Sequence, residues 1–435
     1  MSPTSHAGRL DLDPILDEPI DWRYKSFPVG PPIPLRAVRE RGWNVLGSDF
    51  IPPVLVLKDS ALRHNNEVLA SFCGRRNISL APHGKTSMAP QLLQMQFEAG
   101  AWAVTAATIG QVRIWRHFGV NRVILANELV DPASMNWVAS ELGRDPDFEF
   151  FCLVDSTAGA QLLESTLAQA NANRPLNVLV ELGVAGGRTG CRTLEEARQV
   201  AQAIANSHHL ALAGVESFEG VIHADQIGTS LEAVDSLLAD LRTLVIDLDR
   251  AGLFRDVPEV IVTAGGSAFV DRVVADLGEP WGELSRPVRL VLRSGCYLTH
   301  DAVHYALLSP FGSRIPDTEQ LREALEVWGV VLSMPEPGLA LVGFGKRDVS
   351  YDLELPVPRL IHRSSLALRP FREEASIVAL NDQHAYMKVR PNEDLQVGDL
   401  VGCGISHPCT AFDKWRLIPI VDDDYRVLDA VLTFF

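Results

Sequence analysis

A lysine and a histidine–cysteine pair stand out as groups able to do chemistry. Lys85 lies in Ala81-Pro82-His83-Gly84-Lys85-Thr86, at the C-terminal end of the short apolar run Ile78-Ser79-Leu80-Ala81. A lysine there can point into a pocket and hold pyridoxal phosphate as a Schiff base; the plain alternative is a solvated surface amine. Towards the other end of the chain, Gly404-Ile405-Ser406-His407-Pro408-Cys409-Thr410 sets His407 and Cys409 two apart. Imidazole and thiolate at that spacing can ligate one ion, and the soft thiolate favours zinc over magnesium or calcium. Two protein ligands are fewer than a structural zinc site uses, so the remaining positions fall to water or substrate, as a catalytic metal requires. A lone His-x-Cys can equally be an accident of sequence, and Cys403 beside it reads as an ordinary buried thiol.

Positioning these groups requires strand ends. Strand-like runs at Val54–Leu57, Ile78–Ala81, Ala103–Ala106, Val123–Ala126, Phe148–Val154, Asn177–Leu182, Leu210–Ser217, Val260–Ala264 and Val288–Arg293 alternate with amphipathic helical stretches such as 60–73 and 231–251. That alternation over about 250 residues predicts a (β/α)8 barrel, an α/β fold with the site at the C-terminal ends of its strands. If Val54–Leu57 belongs elsewhere, eight barrel strands remain. After about residue 315 the runs become short and β-like, with Pro and Gly between them, which predicts a separate mainly β domain. The expected organisation is an N-terminal arm over 1–50 packing on the β domain, a barrel over 51–312, and a β domain over 313–435 carrying the metal motif.

The strand ends supply the remaining candidates. His83 and Lys85 follow the run at 78–81, Thr108 the next, Asn127 the next. Gly186-Gly187-Arg188-Thr189-Gly190 follows 177–182, and Ser217 ends 210–217. Gly265-Gly266-Ser267 and Gly295-Cys296-Tyr297 follow the last two strands, where backbone N–H groups on glycine-rich loops commonly bind phosphate. Tyr297 is either a further hydroxyl for the phosphate or a core tyrosine. Arg188 is suited to a phenolate or carboxylate through paired hydrogen bonds, or it is a loop arginine in water.

The bulk numbers narrow the class. The chain has 435 residues, 47% of them hydrophobic, and a net charge of −16, which disfavours nucleic acid and anionic membrane surfaces. Six scattered cysteines suggest no disulfide framework, and neither a signal peptide nor a membrane-spanning run is evident, so a cytoplasmic protein is expected.

The segment Val54-Leu55-Val56-Leu57-Lys58-Asp59-Ser60-Ala61-Leu62-Arg63-His64-Asn65 resembles the opening of alanine racemase-like, fold-type III pyridoxal phosphate enzymes. Pro82-His83-Gly84-Lys85-Thr86 resembles the Pro-His-x-Lys-Thr motif of their D-serine dehydratase and D-threonine aldolase branch. His407-Pro408-Cys409-Thr410-Ala411-Phe412-Asp413-Lys414-Trp415 is similar to the metal motif of zinc-dependent D-serine dehydratases. The resemblance implies a homodimer, with the β domain of one subunit near the barrel mouth of the other. It also implies the cofactor on Lys85, zinc on His407 and Cys409, and Arg188 near the cofactor's phenolic oxygen. D-threonine aldolases usually place Asp where Cys409 stands, which favours the dehydratase. Three positions depart from the pattern: Ala81 stands for a usual Arg, Met88 for part of a Thr-His-Lys continuation, and Phe218 for a tyrosine near the pyridine ring.

The implied reaction is β-elimination from a β-hydroxy D-amino acid such as D-serine, giving a 2-keto acid and ammonia. The alternatives are a metal-dependent aldolase releasing glycine and an aldehyde, a racemase needing a second base that the sequence does not reveal, and a non-enzymatic pyridoxal phosphate carrier, against which the β domain counts.

Overall fold

A computed structural model describes residues 8–222, 227–364 and 367–435. Eight parallel strands form one sheet in the order Ser79–Leu80, Val288–Leu292, Val260–Ala264, Leu210–Glu216, Leu176–Glu181, Glu149–Val154, Arg122–Glu128 and Val104–Ala106. Backbone hydrogen bonds from Trp102 N–H to the Leu80 carbonyl (2.7 Å) and from Thr105 N–H to the Pro82 carbonyl (2.9 Å) join the two end strands into a barrel. These strands are short and rich in Val, Ile, Leu and Ala because both faces are covered, by the barrel interior and by the outer helices. The helices start where the sequence supplies caps. Asp131, Ser156 and Thr193 each accept a backbone N–H of the first turn, Thr193 in a reciprocal capping box with Glu196.

The run at Val54–Lys58 leaves the barrel. It pairs antiparallel with Leu325–Glu336 and parallel with Leu417–Val421, inside a ten-stranded sheet otherwise built from residues after 324. Eight strands are thus left for the barrel, and the chain enters the barrel through the helix Asp59–Arg75. The N-terminal segment lies mainly along the second sheet. Val427 N–H bonds the Trp43 carbonyl at 2.8 Å, and the Lys25 ammonium sits 3.6 Å from the centroid of the Trp415 ring while pairing with Asp348 at 2.9 Å. Among the described residues no helix is long and apolar enough to cross a membrane.

The two units meet at the C-terminal end of the barrel. Leu400–Gly404 runs into the turn that carries His407, and Cys409 opens the short helix Cys409–Phe412, which packs against the single helical turn Gly84–Thr86. Sequence positions more than 300 apart are thereby brought to one mouth.

Candidate active site

Lys85 sits in the turn Gly84–Thr86 immediately after the first barrel strand. The turn is wedged against the barrel wall: a side-chain carbon on Gly84 would come within 2.6 Å of the Trp115 ring, so only glycine fits there. Lys85 faces a cavity of about 530 Å³, a volume typical of small-molecule sites. Among the described residues nothing pairs with its ammonium. His83, on the same turn, has a buried Nδ1 without a partner. Burial first, then the charges of Lys85 and Arg293, hold its imidazole well below the ordinary range and therefore neutral.

Eleven of the fourteen candidates from the sequence line this cavity: Lys85, His83, Asn127, Arg188, Gly265, Gly266, Ser267, Gly295, Cys296, His407 and Cys409. Three do not. Tyr297 is fully buried below the loop, its hydroxyl hydrogen-bonded with Gln96 (3.0 Å) and Asn66 (3.2 Å), so it is the core tyrosine and not a phosphate ligand. Thr108 caps the helix Ile109–His117 through Gln111 N–H. The Ser217 hydroxyl donates to the Leu182 carbonyl at 2.7 Å, inside the barrel wall. All three follow cavity-lining strand ends in sequence but spend their hydroxyls on the scaffold.

Gly295 presses on the Lys85 turn; a Cβ there would lie 2.6 Å from the His83 carbonyl oxygen. The backbone N–H groups of Ser267, Gly295 and Cys296 have no hydrogen-bond partner among the described residues, and Ser294 Oγ is buried without one. These donors fit an anionic group such as a phosphate. Beside them, burial pushes the Glu219 carboxyl up to about 7, although it accepts the Gly265 N–H at 3.1 Å.

Arg188 lies over the Phe218 ring at 5.0 Å, and its guanidinium makes no hydrogen bond or ion pair among the described residues. Arg192, which drew no notice in the sequence, fixes this loop by donating to the Thr189, Gly190, Gly187 and Arg188 carbonyls at 2.6, 2.9, 3.2 and 2.8 Å. The carboxylates of Glu128, Asp155 and Glu181 cluster below it, and Asp155 and Glu181 take Gly190 N–H and Thr189 Oγ1 respectively. Burial and then Glu216 push Glu181 up to about 9, so it is protonated. Asp155 and Glu181 brace the loop through these two hydrogen bonds.

At the same mouth, against the Lys85 turn, His407 and Cys409 sit together. His407 Nδ1 pairs with Asp352 at 2.7 Å, and Thr410 Oγ1 donates to the other Asp352 oxygen at 2.7 Å. Ser350 accepts the His407 N–H at 3.1 Å, so the 350–354 loop holds the whole turn. Contact with Cys409 first, then Asp352, raises His407 to about 9 against the opposing effect of burial. Contact with Cys296 first, then His407, holds the Cys409 thiol well below its usual range against the opposing effect of burial. Nδ1 of His407 is oriented by a carboxylate and the Cys409 sulfur lies beside the ring, the arrangement that supports zinc-bound histidine. The donor set therefore fits a soft divalent ion. Asp352 was invisible in the sequence because it lies 55 residues from His407. D352A should weaken metal affinity by about 10–100-fold, measured by competitive zinc titration, with D352N less affected because its side-chain oxygen can still accept from Nδ1–H.

The sequence matches two family models: "Alanine racemase, N-terminal domain" over residues 58–258 and "Putative serine dehydratase domain" over residues 324–421. A D-threonine aldolase of Arthrobacter sp. is 22% identical over 342 residues, covering 78% of this chain and 80% of that protein. The crystal structure of D-threonine aldolase from Filomicrobium marinum superimposes with a TM-score of 0.70 at 21% identity, covering 90% of this chain and 97% of that one. D-threo-3-hydroxyaspartate dehydratase from Delftia sp. HT23 does so with a TM-score of 0.67 at 18% identity, covering 90% and 99%. The solved structures share this fold; the first family model covers the barrel through its strand Leu210–Glu216, and the second begins where the second sheet does. The chain thus carries an alanine racemase N-terminal domain followed by a serine dehydratase domain, and its structural neighbours are fold-type III pyridoxal phosphate enzymes of the branch that holds the D-serine dehydratases and D-threonine aldolases.

Proposed function

We propose that this chain is a metal-assisted lyase that converts a β-hydroxy D-amino acid such as D-serine into a 2-keto acid and ammonia. The observation that carries the reading is the convergence of Lys85 with His407 and Cys409 on one cavity. An amine able to take a proton from Cα and a metal pair able to hold a β-hydroxyl then act on neighbouring atoms of one substrate.

Pyridoxal phosphate, when bound, supplies the sink for the electrons of the broken Cα–H bond, and zinc, when bound, supplies a Lewis acid for the departing hydroxyl. The residues would divide the work as follows. Lys85 holds the cofactor covalently and, once free, takes the Cα proton. Ser267, Gly295 and Cys296 offer backbone N–H groups to the phosphate. Arg188 would hold the phenolic oxygen from its braced loop. His407 and Cys409 hold the metal, with Asp352 fixing the imidazole. His83 stays neutral and adds no positive charge to the mouth.

The second reading is aldol cleavage to glycine and an aldehyde. It is favoured by the similarity to the Arthrobacter and Filomicrobium D-threonine aldolases. Cys409, where the resemblance gives aldolases an aspartate, favours elimination. Product analysis with D-serine and D-threonine separates the two: ammonia and keto acid support elimination, glycine and aldehyde support cleavage. The homodimer and the cytoplasmic setting go with the proposal, the first on the resemblance and the second on the composition.

A further inference from the structure

We propose that Cys296 is a third protein ligand of the metal held by His407 and Cys409, making the centre a two-cysteine, one-histidine set. The inference rests on the metal reading given above.

Cys296 entered as part of a glycine-rich loop, one of the positions expected to meet phosphate. Its backbone lies in that loop, and its thiol meets Cys409 and Thr86. Cys296 Sγ lies 3.7 Å from Cys409 Sγ, and both sulfurs reach Thr86 Oγ1, at 4.0 and 3.4 Å. Two thiolates on one tetrahedral zinc, each at about 2.3 Å, are separated by about 3.8 Å. The sulfurs therefore already stand at the edge length of a zinc tetrahedron.

The surrounding structure holds Cys296 there. Gly295 is pressed on His83, and the Cys296 carbonyl accepts the His300 N–H at 2.8 Å. The loop end of the last barrel strand and the short helix of the second sheet, 113 residues apart, bring the two sulfurs together.

Two protein ligands leave a catalytic zinc short of the usual three, and Cys2His is one of the established three-ligand sets. Asp352 does not fill the gap, because its carboxylate is taken by His407 Nδ1 and Thr410. Cys296, Cys409 and His407 all face the Lys85 cavity, so the fourth position opens onto substrate. Two thiolates also neutralise the ion's formal charge and bias the site towards zinc and cobalt over magnesium and manganese.

The test replaces the native ion with cobalt(II) in the purified holoenzyme and compares wild type with C296S. Thiolate-to-cobalt charge-transfer absorption grows with the number of sulfur ligands. The expected result is one cobalt per chain in both proteins, with the band falling by about half in C296S and cobalt affinity weakened at least about tenfold. The cofactor spectrum and circular dichroism serve as the check on folding. An unchanged band and affinity in C296S would overturn ligation by Cys296 while leaving the His407–Cys409 metal site standing. Wild type that binds no cobalt would remove the metal reading itself and this inference with it. If C296S does not fold, X-ray absorption on zinc-loaded wild type decides: two sulfurs support the proposal and one overturns it.

Discussion

Replacing Lys85 with alanine should abolish turnover and remove the visible absorption of lysine-bound pyridoxal phosphate. One side chain carries two duties in this account: it tethers the cofactor, and it takes the Cα proton. A positioned general base alone contributes about 10²–10⁴-fold, so the combined loss should be at least about 10⁴-fold in kcat/KM. Lys85 Nζ has no partner among the described residues, so the substitution breaks no structural bond, and folding should be retained. The check is borohydride reduction followed by peptide mass spectrometry. Wild type gains the reduced cofactor on the peptide containing Lys85, and K85A gains none. A cofactor adduct on any other lysine of the wild type would remove Lys85 from its role.

Replacing His407 with alanine separates the metal from the cofactor. H407A should keep the lysine-bound cofactor absorption, because the substitution removes none of the residues that would hold the cofactor. It should lose the metal, and with it a Lewis acid contribution of about 4 kcal/mol, or about a thousandfold in kcat. Metal content by mass spectrometry, the cofactor spectrum and the rate of ammonia release, taken on one preparation, give three independent readings. Retained turnover in metal-free H407A would end the metal's role in the reaction.

The sequence made some of this legible, for physical reasons that can be traced. Lys85, His407 and Cys409 were visible because each lies in a contiguous motif whose residue types already specify chemistry. The barrel was visible because buried parallel strands write continuous apolar runs between amphipathic helices. The displacement of Val54–Lys58 to the second sheet was open in the sequence, since a buried apolar strand looks the same in either sheet; its partners Leu325–Glu336 and Leu417–Val421 lie some 270 and 360 residues away. Thr108, Ser217 and Tyr297 misled because adjacency to a strand end says nothing of which way a side chain points. Asp352, Arg192 and the thiol direction of Cys296 were hidden, since each acts through a tertiary contact or a loop geometry that no local spacing encodes. Phe218, a departure from the resemblance, proves to be the ring beneath Arg188. Ala81 and Met88, the other two departures, are fully buried and line no part of the cavity.

The most direct measurement is ammonia and keto acid release from D-serine and D-threonine and from their L-forms, with and without a metal chelator. The account predicts D-specific ammonia release that falls away with the chelator and returns when zinc is added back. Glycine and aldehyde from D-threonine, with no ammonia from either D-amino acid, would contradict it and make the chain an aldolase.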